Sequence, residues 1–148
     1  MSNQSQILTA LKTAVSTSLG SDYTELKYSY DLELNDLRDQ KKGYGIGALA
    51  AARTESGPMK SLNYAQGFFV VLTETFVNRS SDCKEREVLA TLYDKFEALT
   101  EVIFLKKLSI PTVVRVVSDV SLDDPTNPSK GVVSLRGVFI IEHKKTIT

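Results

Sequence analysis

Cys83, His143 and the run Gly43-Tyr44-Gly45-Ile46-Gly47 are the places in this chain where residue type and spacing could do chemistry. A thiol in the first turn of a helix gains reactivity from the helix macrodipole, and a helix is predicted to begin at about Asp82. The one histidine lies at the end of the last predicted strand. A Cys–His pair would therefore need a coincidence of folding, and a structural cysteine is the better reading. The glycine run looks like a phosphate loop only at first sight. A dinucleotide fingerprint needs a strand directly before it and a helix opening at the last glycine, and a Walker loop needs Lys-Ser/Thr. Neither context is present, so a loop that is flexible or ordered on assembly is expected.

Asp119, Asp123, Asp124 and Asn127 offer oxygen ligands for calcium, but the order lacks the glycine and the closing glutamate of an EF-hand loop. A solvated hairpin tip stiffened by Pro125 and Pro128 explains them better. One cysteine and one histidine make no soft-ligand metal cluster. Arg136 and the pairs Lys106-Lys107 and Lys144-Lys145 could face phosphates, though charges at strand edges and element ends more often keep sheets soluble. No catalytic constellation emerges, and no cofactor or metal site is expected.

Eighteen basic residues balance eighteen acidic ones, which removes the electrostatic footprint of a protein that holds nucleic acid unaided. The 42% hydrophobic and 24% charged fractions are those of an ordinary globular chain. At 148 residues one domain is expected, burying roughly 70% of the surface its unfolded form exposes. The first residues carry no basic and apolar leader pattern, and no run is apolar for the length of a membrane span. A single cysteine excludes an internal disulfide and fits a reducing cytoplasm.

The elements that would position these residues follow from hydrophobic period. Ile7, Leu8, Leu11, Ala14, Val15 and Leu19 recur at helical spacing, predicting a helix over about Gln4 to Leu19 with Asn3 and Gln6 as a capping box and Gly20 as the stop. Leu26, Tyr28, Tyr30, Leu32 and Leu34 alternate with polar residues, the pattern of a one-sided strand. Asn35 to Leu62 breaks both periods and reads as a long mobile loop, within which Ala48 to Arg53 fits a short helix or a strand equally well. Tyr64 to Val77 reads as a central strand, because Phe68-Phe69-Val70-Val71-Leu72 needs cover on both faces.

Val88, Leu89, Leu92, Tyr93, Phe96, Leu99 and Ile103 stripe a second helix over about Asp82 to Ala98, extensible to Lys107, with Asp82 and Glu85 as a capping box. Thr112 to Leu122 and Val132 to His143 are dense in β-branched residues and form the two arms of a hairpin. The expected fold class is α+β, a single domain over residues 1–148 with a four-stranded, mainly antiparallel sheet and two helices packed on one face. Phe69 and Val71 are expected to share one interior with Phe96, Phe139 and Ile141.

With its amphipathic first helix, the segment Tyr28-Ser29-Tyr30-Asp31, the glycine run Gly43-Tyr44-Gly45-Ile46-Gly47 and a last strand Ser134-Leu135-Arg136-Gly137-Val138-Phe139-Ile140-Ile141-Glu142-His143, the chain resembles the tail terminator, or tail completion, proteins of long-tailed bacteriophages. The resemblance spans nearly the whole chain in size and element order, through loose patterns rather than a chemical signature. It implies a non-enzymatic virion protein, assembled in the host cytoplasm and located at the head-proximal end of the tail. Copies would form a ring, usually a hexamer, that caps the tail tube, halts its polymerisation and presents a surface to the head–tail connector protein. Genomic DNA would pass through the lumen without specific binding. On that reading Tyr44, Ile46, Leu49, Arg53 and Met59 are the candidate assembly-interface residues, anchors in a loop that orders against a neighbour or the tail tube protein. Rival readings are another head–tail joining or tail tube protein, an unrelated interaction domain, or a small cytoplasmic enzyme using the glycine run or Cys83.

Overall fold

The computed structural model describes residues 2–37, 41–53, 61–76, 84–106, 113–116 and 121–146. Helix α1 spans Asn3–Leu19 and buries Ile7, Leu11, Val15 and Leu19, the stripe its sequence period predicts. Its cap is Ser2 rather than Asn3: the Ser2 hydroxyl accepts from Ser5 N at 3.2 Å, and Asn3 is used elsewhere. Gly20 ends the helix at φ 82°, a conformation that only glycine adopts at little cost, and its N–H returns to Ser16 O.

Among the described residues six strands make one mixed sheet: β1 (Thr24–Glu25), β2 (Lys42–Arg53), β3 (Ser61–Thr75), β4 (Val113–Val116), β5 (Ser121–Leu122) and β6 (Val132–Thr146). Their order is β1-β2-β3-β6-β4, with β5 also paired to β6. Only β1 against β2 is parallel. The spine is β3 with β6, which pair from Ser61↔Thr146 to Thr75↔Val132 without a register shift. Helix α2 (Lys84–Lys106) continues well past Ala98; Asp82 and Cys83 lie outside the described residues.

Both helices lie on one face. Ile7, Leu11 and Val15 of α1, with Leu92, Phe96, Leu99 and Ile103 of α2, form one cluster with Phe68, Val70 and Leu72 of β3 and with Leu135, Phe139 and Ile141 of β6. Along β3 and β6 every second residue therefore points at the helices, the consequence of the strand period of two. Each such side chain, fully buried, contributes roughly 1.5–3 kcal/mol relative to exposure. Tyr93 falls off the stripe and is 42% exposed.

Three sequence expectations need correction. Leu26 to Leu34 is not a one-sided strand: the chain leaves β1 at Glu25, and Leu32–Leu34 is a single 3-10 turn. Nor is Asn35 to Leu62 one long loop, because β2 occupies twelve of its residues and β3 begins at Ser61. A strand with glycine at alternate positions scores as a loop because glycine's usual place is a turn. Finally, the arm Thr112 to Leu122 is described as two short strands on the same edge of β6. Their partners, Val116↔Ile141 and Ser121↔Val138, are out of step with one another. The two arms of the hairpin do pair antiparallel, and the expected four-stranded sheet is wider and mixed. No described helix is long and apolar enough to cross a membrane.

Candidate functional site

The glycines of β2 define the second face of the sheet. Gly43, Gly45 and Gly47 all point away from the helices, while Tyr44 and Ile46 between them pack against the main core. A Cβ on Gly43 would stand 2.5 Å from Leu26 Cδ2 and 2.8 Å from Thr73 Oγ1; one on Gly45 would stand 2.9 Å from Val71 Cγ1 and 3.0 Å from Ser29 Oγ. At Gly47 it would collide with the Phe69 ring and lie 2.8 Å from Tyr30 Cζ. These glycines serve close approach. They let residues 26–30 lie flat on β2 and cover Phe69 and Val71, which are only 1% and 2% exposed. Leu26, Leu37 and Val132, with Leu32 beside them, make a second small core there. The run Leu26 to Leu34 is accordingly the cover of a sheet face. Phe69 and Val71 do not share the interior of Phe96 and Phe139.

Arg136, on the same face, sits with its guanidinium 5.3 Å from the centre of the Phe69 ring and its Nε 2.6 Å from Asp123 Oδ2. That pair accounts for two residues weighed above for phosphate and calcium. Asn127 Nδ2 donates to Val132 O at 2.9 Å and braces the turn, whose Gly131 has φ 76°. Asp124 is exposed, and Asp119 lies outside the described residues. Among the described residues no three His, Cys, Asp or Glu side chains group as a metal site.

Among the described residues the cover ends beyond Gly47. Leu49 and Val138 each come within 3.2 Å of a Cβ built on Gly67, and Ile140, the Cα partner of Gly67, is 37% exposed. Leu49, Val138 and Ile140 thus form an apolar row with water on one side. Of the five candidate interface residues, Leu49 alone lies on this row. Tyr44 is 5% exposed in the main core, where burial and then the Glu25 carboxylate push its phenol up. Ile46 packs against the same core, so neither is a surface anchor. Arg53 closes β2 opposite Tyr64, and Met59 lies outside the described residues.

His143 is 4% exposed at the helix-side end of the sheet and belongs to a polar network. Gln66 Nε2 donates to Leu49 O at 2.8 Å, which leaves Gln66 Oε1 to accept from His143 Nε2–H at 3.0 Å. Nδ1 is then the acceptor facing Asn3 Nδ2 at 3.4 Å, and Asn3 also donates to Lys144 O at 2.8 Å. The Tyr64 ring stacks on the imidazole with centroids 5.5 Å apart. Burial holds the imidazole below its usual pKa, so His143 is neutral and joins the start of α1 to β6. This is a structural role, where the sequence had suggested weighing His143 only as a partner for Cys83.

Tyr30 was missed as a site residue. Its hydroxyl accepts from Ala48 N at 2.8 Å and donates to Ala48 O at 3.0 Å, on the edge of β2 that faces away from β3. The sequence signal was glycine at a spacing of two, which marks a strand with a bare face and calls for a covering segment. No protein-family model matches the chain, and no curated protein matches it.

Proposed function

We propose that this chain is a structural, non-catalytic virion subunit that forms a ring, of six copies by the resemblance described above, at the head-proximal end of a phage tail. In that role it caps the tail tube, ends tube polymerisation and offers the docking surface for the head–tail connector protein, with genomic DNA passing through the lumen unread. One observation carries the need for a neighbour: the row Leu49, Val138 and Ile140 is apolar and half-covered, at the end of the sheet where the edge of β2 runs on beyond its two-residue partner β1. An apolar row beside a strand edge that, among the described residues, carries no strand partner beyond Tyr44 is surface that a subunit contact would bury. The site named earlier therefore shifts from Tyr44 and Ile46 to Leu49 with Val138 and Ile140.

Analytical ultracentrifugation and negative-stain microscopy of the protein, alone and mixed with purified tails, test the reading. A single species near six subunits, or rings seated on tail ends, is the expected result. Ile140→Asp should weaken that species while leaving the fold intact. Monomers in solution and bare tails in the mixture would overturn it.

A further inference from the structure

Residues 28–35 make a closed loop on the second face of the sheet. Asn35 closes it as a strand partner would: its Oδ1 accepts from Tyr28 N at 2.9 Å, and its Nδ2 donates to Tyr28 O at 2.8 Å and to Leu32 O at 3.2 Å. The turn Leu32–Leu34 adds main-chain bonds from Leu34 N to Asp31 O at 3.3 Å and from Asn35 N to Leu32 O at 3.1 Å. The loop is fixed before anything touches it. It nonetheless shows water three of the six large apolar side chains that the described residues leave exposed, Tyr28, Tyr30 and Leu34, at 40%, 70% and 61%.

Tyr30 is pinned at its hydroxyl, which accepts from Ala48 N and donates to Ala48 O, and its ring meets Phe69 edge-on with centroids 5.0 Å apart. Most of the ring is left to water. An aromatic ring already held in place loses little freedom when a partner stacks on it. Asp31, Glu33 and Asp36 give the loop its charge. All three are exposed and, among the described residues, none is paired with a cation; Asp31 does not cap the turn that follows it. Lys27 stands over the Tyr28 ring instead, 5.5 Å from its centre. Elsewhere carboxylates are matched, Glu25 with Lys12, Glu74 with Lys42, Glu87 with Lys84 and Asp123 with Arg136.

A bare ring beside unmatched carboxylates suits a guanidinium, which stacks on the one and forms forked, charge-assisted hydrogen bonds with the other. The chain fills one such setting itself, where Arg136 lies over Phe69 and bonds Asp123. Tyr30 with Asp31 and Glu33 repeats those ingredients without the arginine. We propose that this loop docks an arginine-bearing segment of another protein: the guanidinium stacks on Tyr30 and bonds Asp31 or Glu33, and Leu34 offers apolar surface to its stem. A second copy is not the source, because the two arginines whose side chains are described, Arg86 and Arg136, are already engaged within the chain. The inference goes beyond the ring reading and does not depend on it, since Leu49, Val138 and Ile140 remain for the subunit contact.

The test titrates isotope-labelled protein with a capped hexa-arginine peptide and, separately, with capped hexalysine, at physiological ionic strength and observed by amide NMR. Shifts should gather in residues 27–36, and the arginine peptide should bind about tenfold more tightly than the lysine peptide. Asp31→Asn, Glu33→Gln and Asp36→Asn combined should weaken arginine binding by about tenfold and leave assembly in sedimentation unchanged. Tyr30→Ala, with the ladder amides of β2 and β3 as its check on folding, should bind the two peptides alike. Equal affinity of wild type for both peptides, or shifts spread over Asp94, Glu97 and Glu101 of α2, would reveal charge attraction alone and overturn the site. An undiminished arginine preference in Tyr30→Ala would do the same. Assembly lost in the triple variant would make a second copy the occupant and overturn the assignment to another protein. Wild type that stays monomeric alone and on tails would remove the ring reading and leave this inference standing.

Discussion

On the helix side of the sheet, Phe68, Val70, Leu72, Leu135, Phe139 and Ile141 lie under α1 and α2, two regular elements with apolar stripes of their own. On the other side, Phe69 and Val71 lie under residues 26–30, an irregular segment without a ladder, and the cover stops short of Ile140. The first face is closed by interlocking large side chains. The second is closed by removing side chains: three glycines let main chain and a few rings lie close. A face closed in the second way keeps little adaptability. One methyl group in the wrong place disrupts it, and what remains uncovered is the surface on which a subunit contact is proposed.

The largest effect should come from the helix-covered face. Phe96 is 1% exposed between α2 and the sheet, and truncation to Ala should cost about 3–5 kcal/mol by lost transfer and cavity. Urea denaturation measures it. An unchanged midpoint would mean that the helix-covered face is not where the stability resides, which would break the comparison. Gly47→Ala tests the opposite face. The added methyl meets the rings of Phe69 and Tyr30, and overpacking of this kind should cost toward the upper end of roughly 1–3 kcal/mol. If Gly47→Ala is neutral, residues 26–30 do not rest on β2 as described.

The contrast also explains what was legible in the sequence. α1, α2, β3 and β6 were readable because each carries enough large apolar residues at one period to fix its face. Phe68 to Leu72 correctly demanded cover on both sides. The covering segment was misread because Leu26, Tyr28, Tyr30, Leu32 and Leu34 alternate with polar residues in sequence, whereas in the fold the segment bends, Leu26 is buried, and Tyr28, Tyr30 and Leu34 are 40%, 70% and 61% exposed. β2 was missed because Gly43, Gly45 and Gly47 are, by propensity, loop residues; their meaning depends on Leu26, Ser29 and Tyr30, which meet them only in the fold. The Asn3–His143–Gln66 network joins the two ends of the chain, so no local pattern could announce it.

That network lies at one polar end of the helix side, and His143 makes it sensitive to pH. Burial lowers the pKa of His143 below its ordinary 6.5, so the native state resists a proton that the unfolded chain accepts. Its contribution is present in full above pH 6.5 and is lost as pH falls through the lowered native value. His143→Ala should cost about 1–2 kcal/mol at neutral pH, because Gln66 Oε1 loses its donor, and should flatten stability against pH in that acid window. Denaturation midpoints of both proteins, measured from pH 7 downward, decide it. A wild-type profile parallel to that of the variant would show that His143 does not titrate against folding.

The smallest effect is expected where the second face meets solvent. Arg136 and Asp123 form a short pair, but their side chains are 43% and 44% exposed, and water screens such pairs to roughly 0.2–1 kcal/mol. Arg136 also stands over the Phe69 ring, a contact that adds about 0.5–1 kcal/mol at an exposed site. Asp123→Ala removes only the ion pair, whereas Arg136→Ala removes the pair and uncovers Phe69. Arg136→Ala should therefore be the more destabilising of the two, and the difference should persist in 1 M salt, where the contribution of the pair fades. Equal losses that vanish together in salt would mean that Arg136 holds Asp123 and does nothing for Phe69. Cover of the second face would then rest on residues 26–30 alone.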